Sequence, residues 1–149
     1  VGTVIFLDID GVLNNPGNFV EKKAIIDPLC VNRLNIIMSI TNAKIVVSSS
    51  WRYMVYGGAM TTLGFGYLLS SHGIPKILDI TPKDEEVAGR GNQCLAWLSK
   101  HPEVTNHVAI DDDDIGMIMP NLNFYKTDGS KGLTDADIKE ICNLLRIND

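Results

Sequence analysis

Val4-Ile5-Phe6-Leu7-Asp8-Ile9-Asp10-Gly11 is the stretch on which the reading of this chain turns. Four apolar residues in a row describe a short strand buried on both faces, as in a parallel sheet covered by helices. The run ends in two carboxylates one residue apart, followed by Gly. Side chains on a strand alternate faces, so this spacing predicts that Asp8 and Asp10 leave on the same side. Two carboxylates at one strand tip repel each other unless a positive charge lies between them. A hard divalent cation such as Mg2+, which takes oxygen ligands and keeps several waters, meets that need.

Outward from this strand, apolar runs and helical stretches alternate. Asn14-Asn15-Pro16-Gly17-Asn18 is dense in turn formers and predicts a loop or small hairpin. Asp27 and Pro28 open a helix as N-cap and first residue, with Leu29, Leu34, Ile37 and Met38 as its apolar face. Residues 43–47 form a second buried strand that ends at Ser48-Ser49-Ser50-Trp51-Arg52. Residues 60–72 read as a helix despite Gly64 and Gly66, closed by Gly73-Ile74-Pro75. A short strand at 77–80 and a polar loop at 81–91 lead to a helix at 92–100, built on Leu95 and Leu98 and stopped by Pro102. A strand at 108–110 delivers Asp111-Asp112-Asp113-Asp114, and 123–127 is the last strand. Thr134 caps a closing helix over 134–145, with Asp137 three residues on in a variant of the capping box.

This alternation predicts a three-layer α/β fold: a Rossmann-like parallel sheet with helices on both faces, as a single domain over 1–149. Ligands of such sheets bind outside the carboxyl ends of the strands. Asp8 and Asp10, Ser48 to Ser50, and Asp111 to Asp114 all fall at those ends, so three polar clusters should converge on one crevice.

Composition bounds the reading further. A chain of 149 residues suffices for one sizeable core, and 45% hydrophobic with 21% charged residues is the balance of an ordinary globular domain. A formal net charge of −5 argues against broad adhesion to nucleic acid or anionic membrane, while leaving room for a local basic patch. Cys30, Cys94 and Cys142 are odd in number and widely spaced, without a Cys-x-x-Cys, which argues against a zinc or redox motif. Each lies in an apolar stretch read as helical, so buried thiols in a reducing, cytoplasmic compartment are expected. No apolar run reaches the roughly 18 residues a bilayer requires. The start shows no basic region followed by an apolar segment, so neither a membrane span nor a secretory leader is expected. His72, His101 and His107 have no ligand spacing and read as structural.

Four segments in order carry more than any one motif: Phe6 to Asn14, Ile45 to Arg52, Gly89-Arg90-Gly91 before a helix, and Val108-Ala109-Ile110-Asp111-Asp112. Together they resemble the four motifs of the haloacid dehalogenase-like (HAD) superfamily, mostly Mg2+-dependent phosphatases. The resemblance spans nearly the whole chain. Ser49-Ser50-Trp51-Arg52, Thr81-Pro82, the Arg90-Gly91 helix start and Gly132-Leu133-Thr134 are most similar to small HAD domains of RNA-repair and phage proteins. The resemblance implies a HAD-type sheet with a minimal cap, since neither the segment after Gly11 nor that after Arg52 is long enough for an inserted domain.

It also implies roles. Asp8 would be the nucleophile, splitting a very slow hydrolysis into formation and breakdown of an aspartyl-phosphate. Asp10 would protonate the leaving alkoxide and then deprotonate water. A serine hydroxyl would hold a phosphoryl oxygen: Ser48 is first after the apolar run, while alignment on Trp51 selects Ser49. Arg90 matches the basic residue that offsets charge at Asp8, with Lys83 as its rival. Asp111 and Asp112 would complete a Mg2+ shell with Asp8 and the Asp10 backbone carbonyl. Asp113 and Asp114 read as exposed acids. Ser50, Arg52 and Asn14 stand as substrate-binding candidates. Arg52 would meet a second phosphate or a sugar edge, or else pair with a carboxylate. Trp51 would stack on a base or belong to the core.

The expected activity is that of a Mg2+-dependent phosphoric monoester hydrolase. A minimal cap leaves the site open to bulky substrates: a nucleotide, a polynucleotide end or a phosphoprotein. The alternative is a non-catalytic HAD-like domain that binds a phosphorylated ligand or partner. A receiver-like domain, itself phosphorylated on an aspartate, is a third reading that the Asp10 acid/base disfavours. The sequence marks no dimer seam.

Overall fold

A computed structural model describes residues 2–20 and 23–145. Its centre is a five-stranded sheet in which every neighbouring pair is parallel. The strands are β1 (Thr3–Leu7), β4 (Lys44–Val47), β5 (Ile77–Ile80), β6 (Asn106–Asp111) and β7 (Phe124–Lys126). Their spatial order is β5-β4-β1-β6-β7, so the chain winds outward from β1 to one edge and then returns to its other side. The opening strand is therefore central, which is why all five of its residues are buried.

Strand alternation divides the core. Ile5, Leu7, Ile45, Val47, Val108 and Ile110 face α1 (Pro28–Thr41), α3 (Thr62–Ser70) and α5 (Asp135–Leu144). Val4, Phe6, Val46 and Ala109 face Cys94 and Trp97 of α4 (Arg90–Ser99). Each large apolar side chain so enclosed contributes about 1.5–3 kcal/mol. The result is the three-layer α/β architecture expected. Between β1 and α1 stand a 3-10 turn (Pro16–Asn18) and a two-stranded antiparallel ribbon, β2 (Phe19–Val20) with β3 (Lys23–Ala24). Any cap among the described residues is thus minimal.

Local chemistry explains the helix ends. Asp27 accepts from the Leu29 amide at 2.9 Å, Pro28 occupies the first turn, and Asn42 closes α1 in the left-handed region. The capping box of Thr134 and Asp137 is formed at α5, and the Tyr125 hydroxyl also donates to Asp137.

Some boundaries and faces differ from the expectation. Leu29 is 59% exposed, because the buried stripe of α1 runs through Cys30, Val31, Leu34 and Ile37. Helix α4 starts at Arg90 rather than 92, entered through Gly89 at φ +89°. Its buried stripe is Gln93, Cys94 and Trp97, with Leu95 and Leu98 flanking it. A single-turn helix, α2 (Tyr53–Tyr56), also follows the second strand where none was expected.

Candidate active site

Strand register aligns the polar residues. Leu7 pairs with Val47 on one side and Ile110 on the other, so Asp8, Ser48 and Asp111 follow in one row. The Asp8 amide donates to the Ile110 carbonyl at 3.1 Å, and the Ser48 amide to the Leu7 carbonyl at 3.0 Å. Apolar strands thus carry their first polar residues to a common edge, where the sheet changes winding direction. An open crevice of about 390 Å3 lies there, lined by Asp8, Asp10, Gly11, Asn14, Asn15, Pro16, Ser50, Arg90, Asp111, Asp112, Asp113 and Gly129.

Oxygens of Asp8, Asp111 and Asp112 lie within 4.8 Å of one another. One guanidinium answers them: Arg90 reaches Asp111 at 2.7 Å and Asp8 at 3.3 Å. With all three carboxylates ionised, one cation would leave two negative charges unmatched in a largely buried place. Burial, and next the nearby Asp111, pushes the Asp8 carboxyl up to about 8. Burial also raises Asp112. Hard oxygen donors with a twofold charge deficit are the donor set of a divalent cation, and these three side chains fit one.

The enclosure is tight around Asp112. A Cβ at Gly11, whose φ is +83°, would strike the Asp112 carboxylate, and one at Gly129 would crowd the same group. Only glycine satisfies both demands at Gly11. Buried Thr127 donates to the Gly11 carbonyl at 2.8 Å, tying the β7 end to the turn that follows β1.

Asp10 reaches the crevice by a different route than strand alternation. Strand β1 ends at Leu7, and the chain then turns, with the Leu13 amide bonding to the Ile9 carbonyl at 2.8 Å. The Asp10 carboxylate is not among the clustered oxygens. Its Oδ1 accepts from Asn14 Nδ2 at 2.9 Å and its Oδ2 from Trp51 Nε1 at 3.1 Å.

The second segment sorts its residues by depth. Ser50 lines the crevice, Ser48 lies buried in the row, and Ser49 Oγ accepts from the Trp51 amide at 3.2 Å as a cap. Arg52 is 2% exposed and does not line the crevice, and of the two roles read for it the structure shows the carboxylate, with Asp84 at 4.0 Å. Its guanidinium donates to the Ser48 and Ser49 carbonyls, each at 3.0 Å, to Pro82 at 3.2 Å and to Gln93 Oε1 at 2.7 Å. A side chain with so many donors in one plane folds back to satisfy the carbonyls of a crowded turn. Asn14 also lines the crevice while fully buried: it accepts from the Gly11 amide at 2.9 Å and donates to Asp10 at 2.9 Å. Lys83 lies over the Tyr56 ring at 5.8 Å and does not line the crevice.

Sequence reasoning missed Gln93, Thr127 and the Asp10–Trp51 contact. The last had a signal: a partly buried indole N–H seeks an acceptor, and Trp51 follows the strand adjacent to the one that delivers Asp10.

This fold and crevice define a Rossmann-like α/β domain with an acidic, cation-ready site at the strand ends. Residues 4–138 match the family described as the HAD domain in Swiss Army Knife RNA repair proteins, and the chain belongs to it. That family points to a HAD-type, phosphatase-like hydrolase. No curated protein and no solved structure matched the chain. Among the described residues, no helix is long and apolar enough to cross a membrane.

Proposed function

We propose that this domain hydrolyses a phosphate monoester with the help of a divalent cation, through a phosphoryl-enzyme formed on Asp8. The observation that carries this reading is the gathering of Asp8, Asp111, Asp112 and Arg90 in one crevice. Asp8, Asp111 and Asp112 would hold Mg2+, together with the backbone carbonyl of Asp10. When bound, the cation supplies the missing positive charge, keeps Asp8 ionised and polarises the phosphoryl group.

An Asp8 carboxylate oxygen attacks phosphorus, and the bond to the leaving oxygen breaks. Asp10 transfers its proton to that oxygen, then takes a proton from water as the water attacks phosphorus. The P–O bond to Asp8 breaks, and phosphate and the free carboxylate are regenerated. Arg90 faces the growing equatorial charge. Its contacts with Asp8 and Asp111 pre-position it. Ser48 or Ser49 offers a hydroxyl to a phosphoryl oxygen, and Ser50 lies at the wall.

The substrate class follows from openness and family. With a minimal cap, the crevice admits a large leaving group, and the family occurs in RNA repair proteins. A nucleotide or a phosphorylated polynucleotide end is therefore the proposed substrate, with the reaction confined to a cytoplasmic, reducing setting.

The test is phosphate release, with and without Mg2+, from 4-nitrophenyl phosphate, nucleotides, 5′- and 3′-phosphorylated oligonucleotides and phosphopeptides. Activity should require Mg2+, favour a nucleic-acid end and fall at least a thousandfold in Asp8→Asn. Equal turnover by that variant would overturn the mechanism. A wild type that binds a phosphorylated ligand but releases no phosphate would favour the non-catalytic reading.

A further inference from the structure

Asp10 differs from the other crevice acids in what it touches. Asp8 and Asp111 face Arg90, whereas both Asp10 oxygens meet neutral donors. The orientation of Asn14 is fixed by its neighbour. Its Oδ1 must face the Gly11 N–H, which turns Nδ2 toward Asp10. The Trp51 ring nitrogen can only donate. Each donor occupies a site on a different carboxylate oxygen, and neither can accept a proton. Asp10 itself lines the crevice, and a proton it carries has no acceptor in either Asn14 Nδ2 or Trp51 Nε1.

Placement needs this help. Asp10 stands on a turn rather than in β1, so the sheet does not hold its side chain. Trp51 stands beyond the tip of β4, is fixed by the Ser49 cap and packs against the larger core. The contact ties two separate loops, 41 residues apart in sequence, at the side chain that must meet the leaving oxygen.

We propose that Trp51 is a positioning residue for Asp10: its indole N–H, opposed by Asn14, aims the carboxyl at the leaving oxygen of the substrate. This rests on the phosphatase reading above. Proton donation matters most when the leaving group is a poor one, and general acids contribute about 10²–10⁴-fold there. A positioning defect must therefore grow with the basicity of the leaving oxygen.

The experiment compares Trp51→Phe, which keeps the ring and removes the donor, with wild type on 4-nitrophenyl phosphate and on a 5′-phosphorylated oligonucleotide. With the alkyl-type leaving group of the oligonucleotide, kcat/KM, which reports formation of the phosphoryl-enzyme and not its hydrolysis, should fall roughly 10–100-fold, and far more than with the aryl ester. An equal loss of kcat/KM on both substrates, or no loss on either, would overturn the proposal.

A second readout needs neither metal nor turnover. In 1H–15N spectra of metal-free protein, Asp10→Ala should move the Trp51 indole signal and spare that of Trp97, whose ring donates to Asp79 at 2.8 Å. An unmoved Trp51 signal would overturn the contact even if Trp51→Phe folds poorly. Wild-type silence on both substrates would overturn the phosphatase reading, and with it the catalytic meaning of the contact. That outcome is distinct from an active wild type with a proportionate loss.

Discussion

At the scale of the residue, Asp8 holds the most consequential imbalance. Its carboxyl is raised from 3.8 to about 8, by burial first and by Asp111 next. Between those values the native state keeps a proton that the unfolded chain has released. Metal-free protein should therefore lose stability as pH rises from about 4 to about 8. Thermal melts in chelator would show the slope, and Asp8→Asn should flatten it while raising Tm. Each kcal/mol relieved is worth roughly 2–4 °C in a domain of this size. Mg2+ should raise Tm more at pH 8 than at pH 5, since it binds the ionised form. A melting temperature that climbs over that range in chelator would contradict the assignment.

At the scale of the element, the helix termini were the most legible features. Asp27-Pro28 at α1 and Thr134 with Asp137 at α5 are formed as read, because a cap is settled by residues within one turn of it. Thr134→Ala should cost about 1 kcal/mol, seen as a lowered urea midpoint, with kcat unchanged because neither Thr134 nor Asp137 lines the crevice. The start of α4 was less legible. Its first turn is admitted by close backbone approach, since a Cβ on Gly91 would strike the Gly116 carbonyl. No residue near Gly91 in sequence announces that contact. Leu29 was placed on the buried face by its type, but the core selects the stripe that faces the sheet, and one apolar residue outside that stripe is tolerated on the surface.

At the scale of the whole molecule, Arg52 joins parts that the chain keeps far apart. It binds the tip of β4 through the Ser48 and Ser49 carbonyls, the loop after β5 through Pro82, and α4 through Gln93. Gln93 passes the link to the Val87 carbonyl at 2.8 Å. Arg52→Met should strand buried carbonyls at about 1–3 kcal/mol each, and denaturant unfolding should show a loss beyond that of Thr134→Ala. Phosphatase activity should fall too, because the serine turn loses its anchor. A variant as stable and active as wild type would show that the buried guanidinium organises nothing.

What the sequence determined by itself was local or periodic: buried strands, their polar tips, the caps, and an α/β alternation that sends those tips to one edge. Such features follow from steric rules acting over a few residues, so they survive without knowledge of the partner. Tertiary structure alone decided which side chains meet. It set Arg90 rather than Lys83 against Asp8, turned Arg52 inward, and brought Trp51 to Asp10. Those pairings join loops separated by tens of residues. They depend on strand order, register and the depth of the crevice, and a long polar side chain reads the same in sequence whether it faces substrate or a buried carbonyl.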